Sequence, residues 1–116
     1  MSVIIYHNPK CSKSRQTLEL LSAKGITPTI IEYIKNPPTV EKLKEILSQL
    51  GIAPRDLMRK KEDTYKELDL GISSLSDKDL IDLMVEHPIL IERPIVIANG
   101  KAVLGRPPEQ VFDILQ

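Results

Sequence analysis

Within its first 34 residues the chain runs from a strand through a tight turn and a helix into a second strand, an order that leaves few local folds open. Val3-Ile4-Ile5-Tyr6 has the length and branching of a buried strand, and Asn8-Pro9 is a turn pair. Leu18, Leu21 and Ala23 then mark a helical core face before the stop signal Gly25. Thr29-Ile30-Ile31-Glu32-Tyr33-Ile34 has the β-branched and aromatic content of another strand. Strand, helix and strand joined so closely make a parallel pair with a right-handed crossover. The junction between the first strand and the helix carries the only cysteine, Cys11.

A cysteine placed there differs chemically from one buried in a core. The open N–H groups of a helix start and the positive end of its dipole favour a thiolate and any anion that meets it. Helix starts ordinarily carry Asp or Glu, whereas this one carries Lys13 and Arg15. That sign opposes the helix dipole and suits an anion, so Cys11 is expected to be a reactive thiol with a depressed pKa. Residue 14 is Ser, so a dithiol Cys-x-x-Cys is ruled out and any second thiol must come from another molecule. Arg15 makes the spacing Cys-x-x-x-Arg, too short for the anion loop of a tyrosine phosphatase. One Cys with the distant His7 and His87 is no zinc set, and no metal is expected.

After Asn36-Pro37-Pro38, Thr39 caps a helix with Val40, Leu43, Ile46, Leu47 and Leu50 on its apolar face and Gly51 at its end. Pro54 opens a short helix through Leu57 and Met58, and Tyr65, Leu68 and Leu70 belong to another short piece. Ser76 and Asp79 form a capping box for a helix with Leu80, Ile81, Leu83 and Met84 inside, ended by His87-Pro88. A stretch this long between strands, residues 37–88, is far beyond an ordinary connection of about 2–6 residues and is expected to form a helical subdomain. Ile89 to Pro94 leads back to the sheet. Ile95-Val96-Ile97 and Ala102-Val103-Leu104 around Asn99-Gly100 are a hairpin, and a last helix buries Val111, Ile114 and Leu115. The expected fold is α/β and thioredoxin-like: a single domain over 1–116 with a four-stranded mixed sheet and an inserted helical subdomain.

Sixteen basic and sixteen acidic side chains cancel, so nothing in the net charge points to nucleic acid, and an anion site has to be local. No run approaches the roughly 20 apolar residues of a membrane span, and Met1-Ser2-Val3 enters a strand without a cleavable leader. With a single cysteine and no disulfide framework, the expected location is the cytoplasm.

Taken together, these motifs resemble the glutaredoxin-dependent arsenate reductases, the ArsC and Spx-related family. The resemblance rests on Tyr6-His7-Asn8-Pro9-x-Cys11-x-x-Ser14-Arg15, Asn36-Pro37-Pro38, Leu57-x-Arg59-Lys60, His87-Pro88-Ile89-Leu90-Ile91-x-Arg93-Pro94-Ile95 and Gly105-Arg106-Pro107. It implies that Cys11 is the nucleophile, that Arg59, Arg93 and Arg106 hold the oxyanion, and that His7 helps set the ionisation of the thiol. Pro94 occupies the position at which such folds place a cis proline near the thiol. Ser14 joins the substrate-binding set, with a hydroxyl able to donate to the Cys11 sulfur. Guanidinium groups suit a tetrahedral anion because their planar donor forks carry permanent charge.

The activity so implied is reduction of arsenate to arsenite through a thiol–arsenate adduct on Cys11. No cofactor is bound; glutathione is the co-substrate and glutaredoxin the partner that clears a mixed disulfide. Two alternatives share the fold. One is an Spx-like regulator that binds RNA polymerase and uses the cysteine as a redox sensor, although Ser14 breaks the Cys-x-x-Cys pair such sensors begin with. The other is a monothiol, glutathione-dependent exchanger acting on another substrate.

Overall fold

The computed structural model describes residues 2–71 and 74–115. Met1, at the start read as leaderless, lies outside them. The chain divides into two compact units, 1–36 with 93–116, and 37–92.

The first unit is built on a four-stranded mixed sheet, β1 (Val3–His7), β2 (Thr29–Glu32), β3 (Ile95–Ala98) and β4 (Lys101–Leu104), in the order β2-β1-β3-β4. β1 and β2 are parallel, with Ile5 opposite Ile30 and His7 opposite Glu32, as a crossover through helix α1 (Ser12–Ala23) requires. β3 runs antiparallel to β1 and pairs antiparallel with β4 across Asn99-Gly100, whose φ values of 55° and 72° are those of the expected two-residue turn. One face of the sheet contributes Val3, Ile5, Val96 and Ala98 to a core closed by Leu21 of α1 and by Val111 and Ile114 of a terminal 3-10 segment, Pro108–Ile114.

Three details of this unit differ from expectation. β2 stops at Glu32, because the Glu32 carbonyl accepts the N–H groups of Lys35 and Asn36, both at 3.0 Å, and turns the chain. Tyr33 is buried in that turn and Ile34 is left exposed. The buried face of α1 is Ser14, Thr17 and Leu21; Ala23 is exposed, since two residues past Leu21 is about 200° around the helix. The last helix is wound as 3-10, and Leu115 lies only partly buried after it.

The second unit packs α2 (Val40–Leu50) against α4 (Asp77–Glu86), with a 3-10 turn at Pro54–Leu57, the five-residue α3 (Asp63–Glu67) and a second 3-10 turn at Pro88–Leu90. Thr39 Oγ1 accepts the Lys42 N–H at 3.1 Å, and Gly51 closes α2 at φ 70°. Ser76 Oγ accepts the Asp79 N–H at 3.1 Å while Asp79 Oδ2 accepts the Ser76 N–H at 3.0 Å, completing the capping box. Leu43, Ile46 and Leu47 of α2 and Leu80, Ile81 and Met84 of α4 are buried; Leu83 is only half-buried, and Leu68 is exposed just past α3. Ile91, expected to lead into the sheet, instead bridges antiparallel to Met58. Replacing Ser76 by alanine removes one side of the box and is expected to cost about 1 kcal/mol, read as a lower urea midpoint with unchanged slope.

Candidate active site

The carboxyl end of β1 delivers His7 and Asn8 to the start of α1, and both are buried. The Asn8 carbonyl accepts the Cys11 N–H at 3.0 Å, and Asn8 Oδ1 accepts the Lys10 N–H at 3.0 Å. This closes the Asn-Pro turn and leaves Cys11 as the N-cap of α1, with extended φ −96° and ψ 125°. An N-cap side chain points at the open N–H groups of its helix, and here that side chain ends in sulfur. The backbone N–H groups of Ser14 and Lys13 and the Arg93 guanidinium are the groups that favour the thiolate.

These contacts decide the ionisation. Burial of the half-exposed thiol pushes its pKa up, but the Ser14 N–H, the hydrogen bond and charge of Arg93, and the Lys13 N–H together outweigh it and hold the thiol below its ordinary value. The first turn of α1 contains no acidic residue to oppose them. Arg93 is 8 % exposed, so its charge acts on the sulfur with little screening by water.

The Ser14 hydroxyl, expected from the sequence to donate to the Cys11 sulfur, is engaged elsewhere. Its Oγ lies 2.6 Å from His7 Nδ1 and accepts the Asn8 N–H at 3.1 Å, while its backbone N–H serves Cys11. Ser14 is fully buried, so one residue ties the imidazole, the turn and the thiol together. Burial lowers the His7 pKa; the charge of Glu32, its neighbour across the parallel pair, works against this and that of Arg15 with it. His7 is therefore a neutral imidazole at neutral pH, able to share a proton with Ser14.

Arg106 is exposed at the start of the final turn, and its Nη1 donates to the Arg93 carbonyl at 3.2 Å. The peptide bonds Arg93-Pro94 and Arg106-Pro107 are both cis. The first unit thus brings together His7, Cys11, Ser14, Arg93 and Arg106. Arg59 lies in the second unit, where its N–H donates to the Leu90 carbonyl at 2.7 Å and the Glu92 N–H donates to the Leu57 carbonyl at 2.8 Å. Its Nε bonds Glu62 at 2.9 Å and its Nη1 bonds Glu92 at 2.7 Å. Burial alone would lower the Arg59 pKa, but these two carboxylates raise it. The sequence reading missed both: Glu62 was visible as an i+3 partner of Arg59, whereas Glu92 is 33 residues away and carried no local signal. It also missed Asn8, which the Asn-Pro turn could have flagged.

A single cysteine capping the first helix of a thioredoxin-like α/β sheet, paired with a buried arginine that precedes a cis proline, defines a class of protein. Residues 6–114 match the model of the ArsC family. The chain is 53% identical over 116 residues to an arsenate reductase of Haemophilus influenzae, covering 99% of this chain and all of that protein. It is 55% identical over 114 residues to YfgD, an uncharacterised protein of Escherichia coli, covering 97% of this chain and 96% of the relative. A solved arsenate reductase from Vibrio cholerae superposes with a TM-score of 0.97 at 60% identity, covering 99% of this chain and 98% of that one. The chain belongs to the ArsC family.

Proposed function

We propose that this protein is an arsenate reductase in which the Cys11 thiolate is the nucleophile. The observation that carries the reading is Cys11 as the N-cap of α1, its thiol held below its ordinary pKa by the Ser14 and Lys13 N–H groups and the buried Arg93. A thiolate so placed is a nucleophile, and the same donors suit the oxygens of a tetrahedral anion. The names borne by the Haemophilus and Vibrio relatives point to arsenate as that anion.

In the first step the thiolate bonds to arsenic(V) and one oxygen leaves as water, so an S–As bond replaces an As–O bond without change of oxidation state. Arg93 and Arg106, with Arg59 as the third arginine that the family resemblance implies, neutralise charge on the remaining oxygens. His7, through Ser14, serves the ionisation of the thiol. A glutathione thiol then attacks the Cys11 sulfur; the S–As pair returns to arsenic, which leaves as arsenite. The two sulfurs supply the two electrons and end as a mixed disulfide, which a glutaredoxin thiol clears by exchange. The sequence holds one cysteine, which supports an external reductant, and a cytoplasmic setting would supply it. Among the described residues no helix is long and apolar enough to cross a membrane.

The test is NADPH oxidation coupled to glutathione reductase in the presence of arsenate, glutathione and glutaredoxin, with each omitted in turn. Turnover that requires all three supports the whole reading. No turnover in the complete mixture contradicts arsenate as substrate, and turnover indifferent to glutaredoxin contradicts the proposed reductant.

A further inference from the structure

We propose that Gly105 is a positioning residue for the Cys11 site, a reading that rests on Cys11 and Arg93 acting together as proposed above. Gly105 follows β4, and its N–H donates to the Pro94 carbonyl at 2.9 Å, extending the β3–β4 pairing to the residue beside Arg93. On its other side lies Thr17, fully buried on α1, whose Oγ1 donates to the Lys13 carbonyl at 2.9 Å and lies 3.5 Å from the Gly105 carbonyl. A Cβ on Gly105 would sit 2.7 Å from Pro94 Cγ and 3.1 Å from Thr17 Cγ2, and nearer still to Thr17 Oγ1.

Such distances lie inside van der Waals contact, and neither neighbour is a flexible chain end that could swing aside. Pro94 is a ring locked to the backbone, and Thr17 is β-branched, with few rotamers and its hydroxyl already engaged. The glycine is needed here for space. No left-handed backbone is involved, because the glycines with positive φ are Gly25, Gly51 and Gly100. A side chain at 105 must push the Arg93-Pro94 segment away from α1, the helix whose first turn holds the thiol. The absent side chain therefore sets how closely the guanidinium approaches the sulfur. Arg106, next in the chain and bonded to the Arg93 carbonyl, shares the same seat.

The experiment is the pH profile of Cys11 alkylation by iodoacetamide in Gly105→Ala, alongside Val111→Ala as a substitution in the core cluster of the same unit, with Val3, Ile5, Leu21, Val96 and Ala98. Gly105→Ala is expected to move the profile to higher pH, lowering the rate at pH 7 about threefold or more, while Val111→Ala loses stability and keeps the wild-type profile. Adding Thr17→Ala to Gly105→Ala removes two of the three crowding atoms and is expected to return the profile part of the way. A wild-type profile in Gly105→Ala, an equal shift in Val111→Ala, or a double variant no nearer to wild type than the single one overturns the proposal. Should Gly105→Ala fail to fold, Thr17→Val decides. It sets a methyl in place of the oxygen against Gly105, and a shift to higher pH supports the proposal while a wild-type profile overturns it. Alkylation requires no arsenate, so a chain that fails as a reductase still reports on Gly105.

Discussion

Cys11→Ser should leave no arsenate turnover, and Arg93→Ala should lower kcat/KM about 10²- to 10³-fold, the equivalent of roughly 2.7–4 kcal/mol of transition-state stabilisation. The serine hydroxyl sits in the same cradle of N–H groups but does not ionise near neutral pH and cannot form the S–S bond on which the second step depends. Arg93 carries a double load. It lowers the pKa of the thiol and supplies the positive charge that offsets the burial of a thiolate. Its removal should therefore depress the thiolate fraction as well as anion binding, whereas Arg93→Lys should restore charge without the planar fork and recover only part of the rate. Arg106 donates to the Arg93 carbonyl, so Arg106→Ala should raise the KM for the oxyanion and move the alkylation profile less than Arg93→Ala does. Steady-state kinetics with the glutaredoxin-coupled assay separates these outcomes.

The largest effect on stability is expected at Leu21, which is fully buried where α1 meets the sheet and the terminal 3-10 segment. Leu21→Ala deletes side-chain volume with partners on every side, at a cost of about 2–5 kcal/mol. With slopes of about 1–3 kcal/mol per molar urea, the midpoint should fall by on the order of 1–2 M. Ile30, of similar size but 49 % exposed on β2, offers the comparison: Ile30→Ala should stay within about 0.5 kcal/mol of wild type. Equal losses at the two positions would contradict the placement of the core.

What could be read from the sequence was whatever is decided within a few residues. The Thr39 cap, the Ser76–Asp79 box and the Asn99-Gly100 turn each complete their hydrogen bonds locally, and each formed as read. Cys11 at a helix start belongs to the same kind, since strand, turn and helix are contiguous. The resemblance to the ArsC family, carried by motifs spread along the chain, held over residues 6–114. The parts that escaped depend on distant residues. Nothing near Ser14 shows that its hydroxyl will be taken by His7 and its N–H given to the sulfur, because that choice is made by the packing of β1 beside α1. Arg59 reads as an isolated cation until Glu92 is brought to it from 33 residues away. Gly105 looks like an ordinary turn glycine until Thr17 and Pro94 close on it. The end of β2 was misjudged for a related reason: Tyr33 and Ile34 have strand propensity, but the Glu32 carbonyl had already turned the chain.

Linkage fixes the sign of the pH effect. A thiol whose pKa is lower folded than unfolded contributes stability that is fully present above the unfolded value and is lost as pH falls through the folded one. His7, also lowered on folding, loses its share as pH falls below its ordinary value of 6.5. Both groups therefore make the protein less stable toward acid.

The most direct measurement is the rate of Cys11 alkylation against pH in wild type and Arg93→Ala, with and without arsenate. The account predicts a wild-type midpoint clearly below the value of about 8.5 of a free thiol, a shift to higher pH in Arg93→Ala, and protection by arsenate that the variant loses. A wild-type midpoint at or above that of a free thiol, unmoved by the substitution, would contradict it.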